Sequence, residues 1–354
     1  MATSDKSKKY SKVLIISHAK DPDGICSAAI SIRYAMKKNM EYKTLFLDYG
    51  DLEEYFPNLK SYHDTLVLIT DLGIDKSSEK VVLSTLSSLA KQGCRIVWLD
   101  HHEWHASAIK FILSLPNSPV LKIVKSLCAA EIAQKVLMPN DDISIELARV
   151  AHDSDFNLQE LESSQVLSDL ITHIRYSFSD SNAELQKELH HISLLLANKG
   201  ISALWDEKRK IIPDDNYRLQ VKAYRKLRAK KMKGLLEKSC SQKIHGKLVR
   251  IVFIPEGITT TDVANYLSDP KNLVDKSGKS YEVADVLITV GNSGLMGIRR
   301  TTDDVLCNEI AKMFGGGGHE YAAGAEYVGY SNFESACDDI LHELSTTKVW
   351  IKSA

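Results

Sequence analysis

The stretch CRIVWLDHH, residues 94–102, decides the fold, because an apolar run ends there in a carboxylate and two imidazoles. The run has the length and composition of a buried strand. Two earlier stretches have the same layout: VLII (13–16) leads into SHAKDPDG (17–24), and LVLIT (66–70) leads into DLG (71–73). Open α/β sheets build their ligand sites at the carboxyl ends of their strands, so we expect these polar side chains to meet at one edge.

Short apolar runs alternate with helical segments from residue 12 to residue 155. Apolar residues recur at helical spacing over 25–37 and 76–92, and residues 43–47 form a further strand-like run. An alternation of strands and helices predicts a parallel sheet with right-handed crossover connections. The expected fold class is therefore α/β.

The chain of 354 residues is longer than a usual single domain, and its pattern changes after residue 180. Helices are predicted over 184–198 and 217–237, and strands return at 249–254 and 286–290. We therefore expect three parts. They are a parallel-sheet α/β domain over 1–180, a helical connector over 181–240 and a smaller mixed α/β domain over 241–354.

Composition narrows the class of protein. The formal net charge of -1 excludes an overall basic nucleic-acid binder. No stretch approaches the roughly 20 apolar residues that span a bilayer, and residues 1–9 lack the apolar core of a signal peptide. We therefore expect a cytoplasmic protein. The six cysteines form no Cys-x-x-Cys pair, which argues against a disulfide framework or a structural zinc site.

The polar residues at the strand ends are a donor set for divalent metals. His18, Asp21 and Asp23 form an H-x-x-D-x-D set, and Asp71 adds a carboxylate that could bridge two ions. An Asp after a strand is commonly only a helix N-cap. Helix capping alone does not readily explain four clusters of Asp and His at the ends of successive secondary-structure elements. Two ions, about 3.5–4 Å apart, would activate a water and stabilise the oxygens of a phosphoryl displacement.

His101 and one carboxylate from HDSDF (152–156) would complete the set around the second ion. Mixed His and Asp ligation suits Mn²⁺ best, with Mg²⁺ or Co²⁺ as alternatives. The expected cofactors are therefore two divalent metal ions, with Mn²⁺ preferred.

A glycine run, GGGGHEYAAG at 315–324, follows a predicted helix in the third region. Consecutive glycines expose backbone N–H groups in a nest suited to phosphate, whereas a helix C-cap needs only one glycine. His319 and Arg299 would add donors for a substrate phosphate or base. The predicted substrate contacts are Arg299, Gly315, Gly316, Gly317, Gly318 and His319.

The motifs H-x-x-D-x-D-G, strand-terminal D-L-G and L-D-H-H resemble those of the DHH phosphoesterases. The run G-G-G-G-H-x-x-A-A-G resembles the signature of the C-terminal domain associated with that family. Together these motifs extend from residue 13 to about residue 325. The resemblance implies a catalytic DHH domain over 1–180 and a substrate-binding, DHH-associated domain over 241–354.

The resemblance also assigns roles to the site residues. It implies that His18, Asp21 and Asp71 surround one ion. It implies that Asp71 also joins Asp23, His101 and a fourth-motif Asp around the other.

Asp100 would be an outer carboxylate that orients a neighbouring imidazole, and His102 would face the scissile phosphate. The fourth motif offers two carboxylates. Asp153 is favoured because it resembles the family's D-[ST]-x pattern, and Asp155 is the alternative.

The function that the resemblance implies is metal-dependent hydrolysis of short oligonucleotides, nanoRNA or short single-stranded DNA, to 5′-mononucleotides. Alternatives are a 3′-phosphoadenosine 5′-phosphate phosphatase, a cyclic dinucleotide phosphodiesterase or, in another class, a non-catalytic RNA-binding module. The intact metal set favours an enzyme. On the basic helix predicted over 217–237, Tyr217 and Tyr224 are candidates for stacking on bases. The oligomeric state stays open, a homodimer being one option.

Overall fold

The computed structural model describes residues 10–74, 76–275 and 277–352. The chain divides into two compact units, and the division falls between Val221 and Lys222. This point lies inside the segment predicted as a connector, and the predicted domain bounds stay a prediction. Of the helices in the described ranges, none is long and apolar enough to cross a membrane.

The first unit is built on a five-stranded parallel sheet of order β2-β1-β3-β4-β5. Side chains alternate between its faces, so Val13 and Ile15 pack on one side while Leu14 and Ile16 pack on the other. Both faces are covered by helices, as parallel sheets require. The strands are β1 Lys12–His18, β2 Glu41–Leu47, β3 Leu66–Thr70, β4 Arg95–Asp100 and β5 Val120–Ile123.

Nine α-helices of the described residues begin in this unit, and the last crosses the division between the units. α1 begins after Asp21, which caps it by accepting a hydrogen bond from the Gly24 N–H at 3.1 Å. The helices are α1 Pro22–Lys37, α2 Leu52–Tyr55, α3 Glu79–Lys91, α4 Ala106–Leu113, α5 Ala129–Leu137, α6 Asp142–Asp155, α7 Glu162–Ser177, α8 Asn182–Lys199 and α9 Asp215–Met232.

The second unit contains a mixed six-stranded sheet of order β10-β11-β9-β8-β7-β6, in which only β7 and β8 are parallel among the described pairs. The predicted α/β class, with a parallel sheet and a second mixed sheet, is confirmed. The strands are β6 Ser239–Ile244, β7 Lys247–Phe253, β8 Val286–Val290, β9 Leu295–Arg300, β10 Gly317–Gly318 and β11 Ala322–Glu326, and the helices are α10 Thr260–Ser268, α11 Cys307–Met313 and α12 Phe333–Thr346.

The two tyrosines named as candidates for stacking on bases are core residues instead. Tyr217 is 5% exposed and belongs to the apolar core of the first unit. Tyr224 is 1% exposed, and its hydroxyl donates to Asp262 at 2.6 Å. Neither ring presents a face to solvent, because the amphipathic helix that carries them turns its aromatic side inward.

Candidate metal centre

The carboxyl ends of β1, β3 and β4 lie side by side, because these three strands are parallel neighbours. His18 is the last residue of β1, Asp71 follows β3 directly, and Asp100 ends β4. Asp71 has a positive φ of 56°, a conformation that Asp tolerates better than most residues and that is found at functional sites. The predicted meeting of these side chains at one sheet edge is therefore what the fold produces.

The first cluster consists of His18, Asp21 and Asp71. Nδ1 of His18 lies 3.1 Å from Oδ2 of Asp21 and 3.4 Å from Oδ2 of Asp71. One donor atom from each residue lies within 4.8 Å of the others, a spacing at which all three could bind one ion. This is the set that the resemblance implied for one metal.

The second cluster consists of Asp23, His101 and Asp155, and its donor atoms also lie within 4.8 Å of one another. Nε2 of His101 is 3.8 Å from Oδ2 of Asp23, and Nδ1 is 3.6 Å from Oδ2 of Asp155. Asp23 is fixed by the first turn of α5, where the N–H groups of Ala129 and Ala130 each donate to it at 2.7 Å.

Asp71 connects the two clusters. Its Oδ2 faces His18, while its Oδ1 lies 3.3 Å from Nε2 of His101. Burial alone would raise the pKa of Asp71, but the neighbouring imidazoles of His101 and His18 lower it. The carboxylate is therefore held ionised with one oxygen toward each cluster, as a ligand shared by two ions would be.

The fourth motif contributes Asp155, whereas Asp153 does not reach the clusters found among the described residues. Oδ1 of Asp153 accepts a hydrogen bond from the Glu160 N–H at 2.9 Å, which ties the end of α6 to the following loop. The structure thus favours the alternative ligand over Asp153, the residue chosen from the family pattern. The two side chains are two residues apart on a helix and so point in nearly opposite directions.

The donor set fits divalent cations. Both ring nitrogens of His18, Oδ2 of Asp71 and Oδ2 of Asp155 are buried and make no aligned hydrogen bond to any described residue. Buried polar atoms of this kind normally have partners. Imidazole nitrogen and carboxylate oxygen are the donors that Mn²⁺ and related ions accept, so bound cations would satisfy these atoms.

The electrostatics of the second cluster also indicate a need for positive charge. Burial, followed by the charges of Asp71 and Asp155, raises the pKa of Asp23 well above its usual value. Burial likewise raises the pKa of Asp155 to about 6. Carboxylates packed this closely repel one another when ionised, and a divalent cation removes that repulsion.

His102 lies beside these clusters and is held by Asp100. Nδ1 of His102 is 2.8 Å from Oδ1 of Asp100, and the indole N–H of Trp104 donates to Oδ2 at 2.6 Å. Burial would raise the pKa of Asp100, but His102, His101 and Trp104 bring it below its usual value. This arrangement fits the orienting role predicted for Asp100, and sequence reasoning did not identify Trp104.

Sequence reasoning also missed two residues that follow β2. Oδ1 of Asp48 lies 3.5 Å from Nε2 of His18, and Asp48 forms an ion pair with Lys20. The hydroxyl of Tyr49 lies 2.7 Å from Nε2 of His102. The sequence contained a signal for both residues, because residues 43–47 were predicted to form a strand and Asp48 and Tyr49 follow it directly.

In the second unit, backbone conformation or backbone packing accounts for three of the four glycines. Gly315 has a φ of +74°, and a Cβ at Gly316 would lie 2.1 Å from the carbonyl oxygen of Gly324. Gly318 has a φ of +135°, and its Cβ would lie 2.6 Å from the Cα of Ala323. The run therefore permits the close approach of β10 to β11, a reason for glycine that the sequence interpretation, close approach of a ligand, did not consider.

Only Gly317, among the four, would carry a Cβ in open space without a left-handed backbone. Near the run, the rings of His319 and Tyr321 are parallel, with centroids 5.1 Å apart and 1° between their planes. Arg299 on β9 donates to the Ile298 carbonyl at 2.9 Å and to the Thr261 hydroxyl at 3.1 Å. The roles of these residues in substrate binding stay predictions.

Three solved structures share this fold at low sequence identity. RecJ from Thermus thermophilus, in complex with Mn²⁺, is 14% identical over 95% of this chain and 51% of its own, with a TM-score of 0.55. An exopolyphosphatase-related protein from Bacteroides fragilis is 13% identical over 97% and 93%, with a TM-score of 0.53. A pGpG-specific phosphodiesterase from Vibrio cholerae is 13% identical over 96% and 98%, with a TM-score of 0.52.

A search of curated proteins found no match to this sequence. Two family models do match it. Residues 12–160 match the DHH family, N-terminal domain, and residues 246–346 match the DHHA1 domain. The first match contains all the Asp and His residues of both clusters, and the second contains the glycine run and Arg299. The chain belongs to the DHH phosphoesterase family and carries a DHHA1 domain after its DHH domain.

Proposed function

We propose that the protein is a metal-dependent phosphodiesterase that hydrolyses short oligonucleotides, RNA or single-stranded DNA, to 5′-mononucleotides. The observation that carries the proposal is the placement of Asp71, with one oxygen toward each of two His and Asp clusters. A non-catalytic binding module would have no use for two buried donor sets that share one carboxylate.

In this proposal His18, Asp21 and Asp71 hold one ion, and Asp71 is shared with the second ion's set of Asp23, His101 and Asp155. Mn²⁺ is preferred because the donors mix imidazole nitrogen and carboxylate oxygen. The ions, when bound, supply the positive charge that polarises a phosphoryl group and makes water a nucleophile at neutral pH.

The residues of the chain supply orientation and proton control. Asp100 accepts the Nδ1 proton of His102, which leaves Nε2, the nitrogen nearer the Tyr49 hydroxyl, to meet a phosphoryl oxygen. When His102 is doubly protonated, Nε2–H donates to that oxygen and offsets the charge that develops there. The α5 N-terminus fixes Asp23, so a ligand of the second cluster is positioned before any ion binds.

The DHHA1 domain is proposed to hold a nucleotide end through Arg299 and His319. The parallel His319 and Tyr321 rings have the geometry of a surface on which a base could stack. This preference for a nucleotide end is the reason for choosing short oligonucleotides over inorganic phosphates. A cytoplasmic location and a homodimer stay predictions.

A substrate screen tests the proposal. The protein would be incubated with Mn²⁺ and 5′-labelled RNA and DNA from dinucleotides to long strands, with 3′-phosphoadenosine 5′-phosphate and cyclic dinucleotides alongside. We expect 5′-mononucleotides from the shortest strands. Preference for either nucleotide alternative would identify that substrate instead, and tight RNA binding without cleavage would show a binding module.

A further inference from the structure

Tyr49 lies between two histidines of the site. Its hydroxyl is 2.7 Å from Nε2 of His102 and 3.3 Å from Nδ1, and the two ring centroids are 5.4 Å apart at 75°. On its other side, the centroid of the Tyr49 ring is 5.2 Å from that of His18. None of the DHH motifs quoted above includes this tyrosine.

The hydrogen-bond pattern shows what the hydroxyl does. Asp100 accepts from Nδ1 of His102 at 2.8 Å, so the proton of a neutral imidazole lies on Nδ1 and Nε2 is an acceptor. This tautomer is assigned from the hydrogen-bond network. Tyr49 O–H therefore donates to Nε2, and the imidazole is held at both nitrogens.

The tyrosine itself has little freedom to move. It begins a short 3₁₀ turn, Tyr49–Asp51, and its N–H donates to Oδ1 of Asp48 at 2.9 Å. The loop after β3 packs against the same pair. A Cβ at Gly73 would lie 3.1 Å from Cβ of His102 and 3.7 Å from Cε1 of Tyr49. Three segments of the chain thus contact the His102 side chain.

We propose that Tyr49 is a positioning residue for His102, an inference that rests on the proposed hydrolysis. The hydroxyl fixes the plane of the imidazole in the substrate-free enzyme, and a substrate phosphoryl oxygen would take the place of the hydroxyl at Nε2. Preorganisation of this kind raises the rate of the chemical step more than it tightens substrate binding.

The test is the Tyr49→Phe variant, which keeps the ring and removes the hydroxyl. We expect kcat to fall about tenfold, as the loss of one buried hydrogen bond predicts, with KM not rising. Tyr10→Phe is the matched control. The Tyr10 hydroxyl also donates a hydrogen bond, to the Gly93 carbonyl at 3.2 Å, but Tyr10 lies just before β1, at the amino-terminal edge of the sheet.

A double-mutant cycle separates positioning from a general structural effect. In a His102→Ala background, Tyr49→Phe should have no further effect on kcat, because the residue through which it acts is gone. A ¹⁵N-histidine NMR spectrum of the Mg²⁺-loaded protein should show a shift of the His102 Nε2 signal in Tyr49→Phe. Thermal unfolding confirms that the variant is folded.

Two results would overturn the inference: wild-type kcat in Tyr49→Phe, or an equal loss of rate in both backgrounds. A wild-type protein that hydrolyses none of the screened substrates would instead refute the proposed function itself. The two failures are therefore distinguished by the wild-type rate.

Discussion

Asp155 lies against His101, with its Oδ2 3.6 Å from Nδ1 of the imidazole. Asp153, on the other side of the same helix, bonds to the backbone of Glu160. We predict that Asp155→Ala lowers kcat by about a hundredfold or more. Mutation of even an outer-shell partner of a metal ligand lowers metal affinity or activity roughly 10–100-fold. Asp153→Ala should lose far less activity. Steady-state rates at saturating Mn²⁺ measure both.

Asp153→Ala should instead lower the thermal midpoint of unfolding. It leaves the Glu160 N–H without its acceptor, a loss of roughly 1–3 kcal/mol in the free energy of unfolding. The assignment is contradicted if Asp153→Ala is the less active variant while both proteins remain folded.

Helical periodicity could not separate these two carboxylates. α6 is buried on more than one side. Val150, three residues before Asp153, and Ala151, four residues before Asp155, both lie in the apolar core. A helix enclosed by its neighbours has no single polar face from which to read which Asp turns inward. Only the position of the helix relative to β4 settles the choice.

Metal binding should release protons. Burial alone would lower the pKa of His101, but Asp71, Asp155 and Asp23 raise it to about 11, so the metal-free protein holds a proton there at pH 7. Metal ligands must be deprotonated, so Mn²⁺ has to displace that proton, and its affinity should rise with pH between about 6 and 9.

Calorimetry of Mn²⁺ binding at about pH 7, in buffers with different ionisation enthalpies, measures this release. We expect the observed heat to depend on the buffer, with about one proton or more released per protein. In a His101→Ala variant the release should fall. A heat that is the same in all buffers would show that the imidazole carries no proton to displace.

The glycine run offers a matched pair of variants. Gly316→Ala would place a Cβ 2.1 Å from the Gly324 carbonyl oxygen, so we expect a fall in the thermal stability of the second unit. Gly317→Ala places its Cβ in open space and should leave stability unchanged. Thermal unfolding of both variants checks the packing role.

The same pair tests whether the run also approaches a substrate. If a phosphate lies against the exposed N–H groups, Gly317→Ala should raise KM for a dinucleotide without changing stability. An unchanged KM in a stable Gly317→Ala protein would limit the run to its packing role.

The parts of the fold that the sequence predicted depend on local signals. β1, β3 and β4 are apolar runs ended by Asp or His, and parallel pairing brings such ends together whatever else the chain does. The packing role of the glycine run was missed because it comes from the pairing of β10 with β11, a contact that no local pattern shows. Tyr49 was missed because its role depends on a hydrogen bond to a residue 53 positions away.

The central claim is that Asp71 joins two metal sets for hydrolysis, and Mn²⁺-dependent release of 5′-mononucleotide from a labelled dinucleotide tests it most directly. Asp142→Asn is the matched control, because Asp142 is an exposed carboxylate on α6. We predict Mn²⁺-dependent hydrolysis by the wild type and the control, and a loss of about a thousandfold or more in Asp71→Asn. Wild-type hydrolysis that persists in EDTA, or full activity in folded Asp71→Asn, would contradict the account.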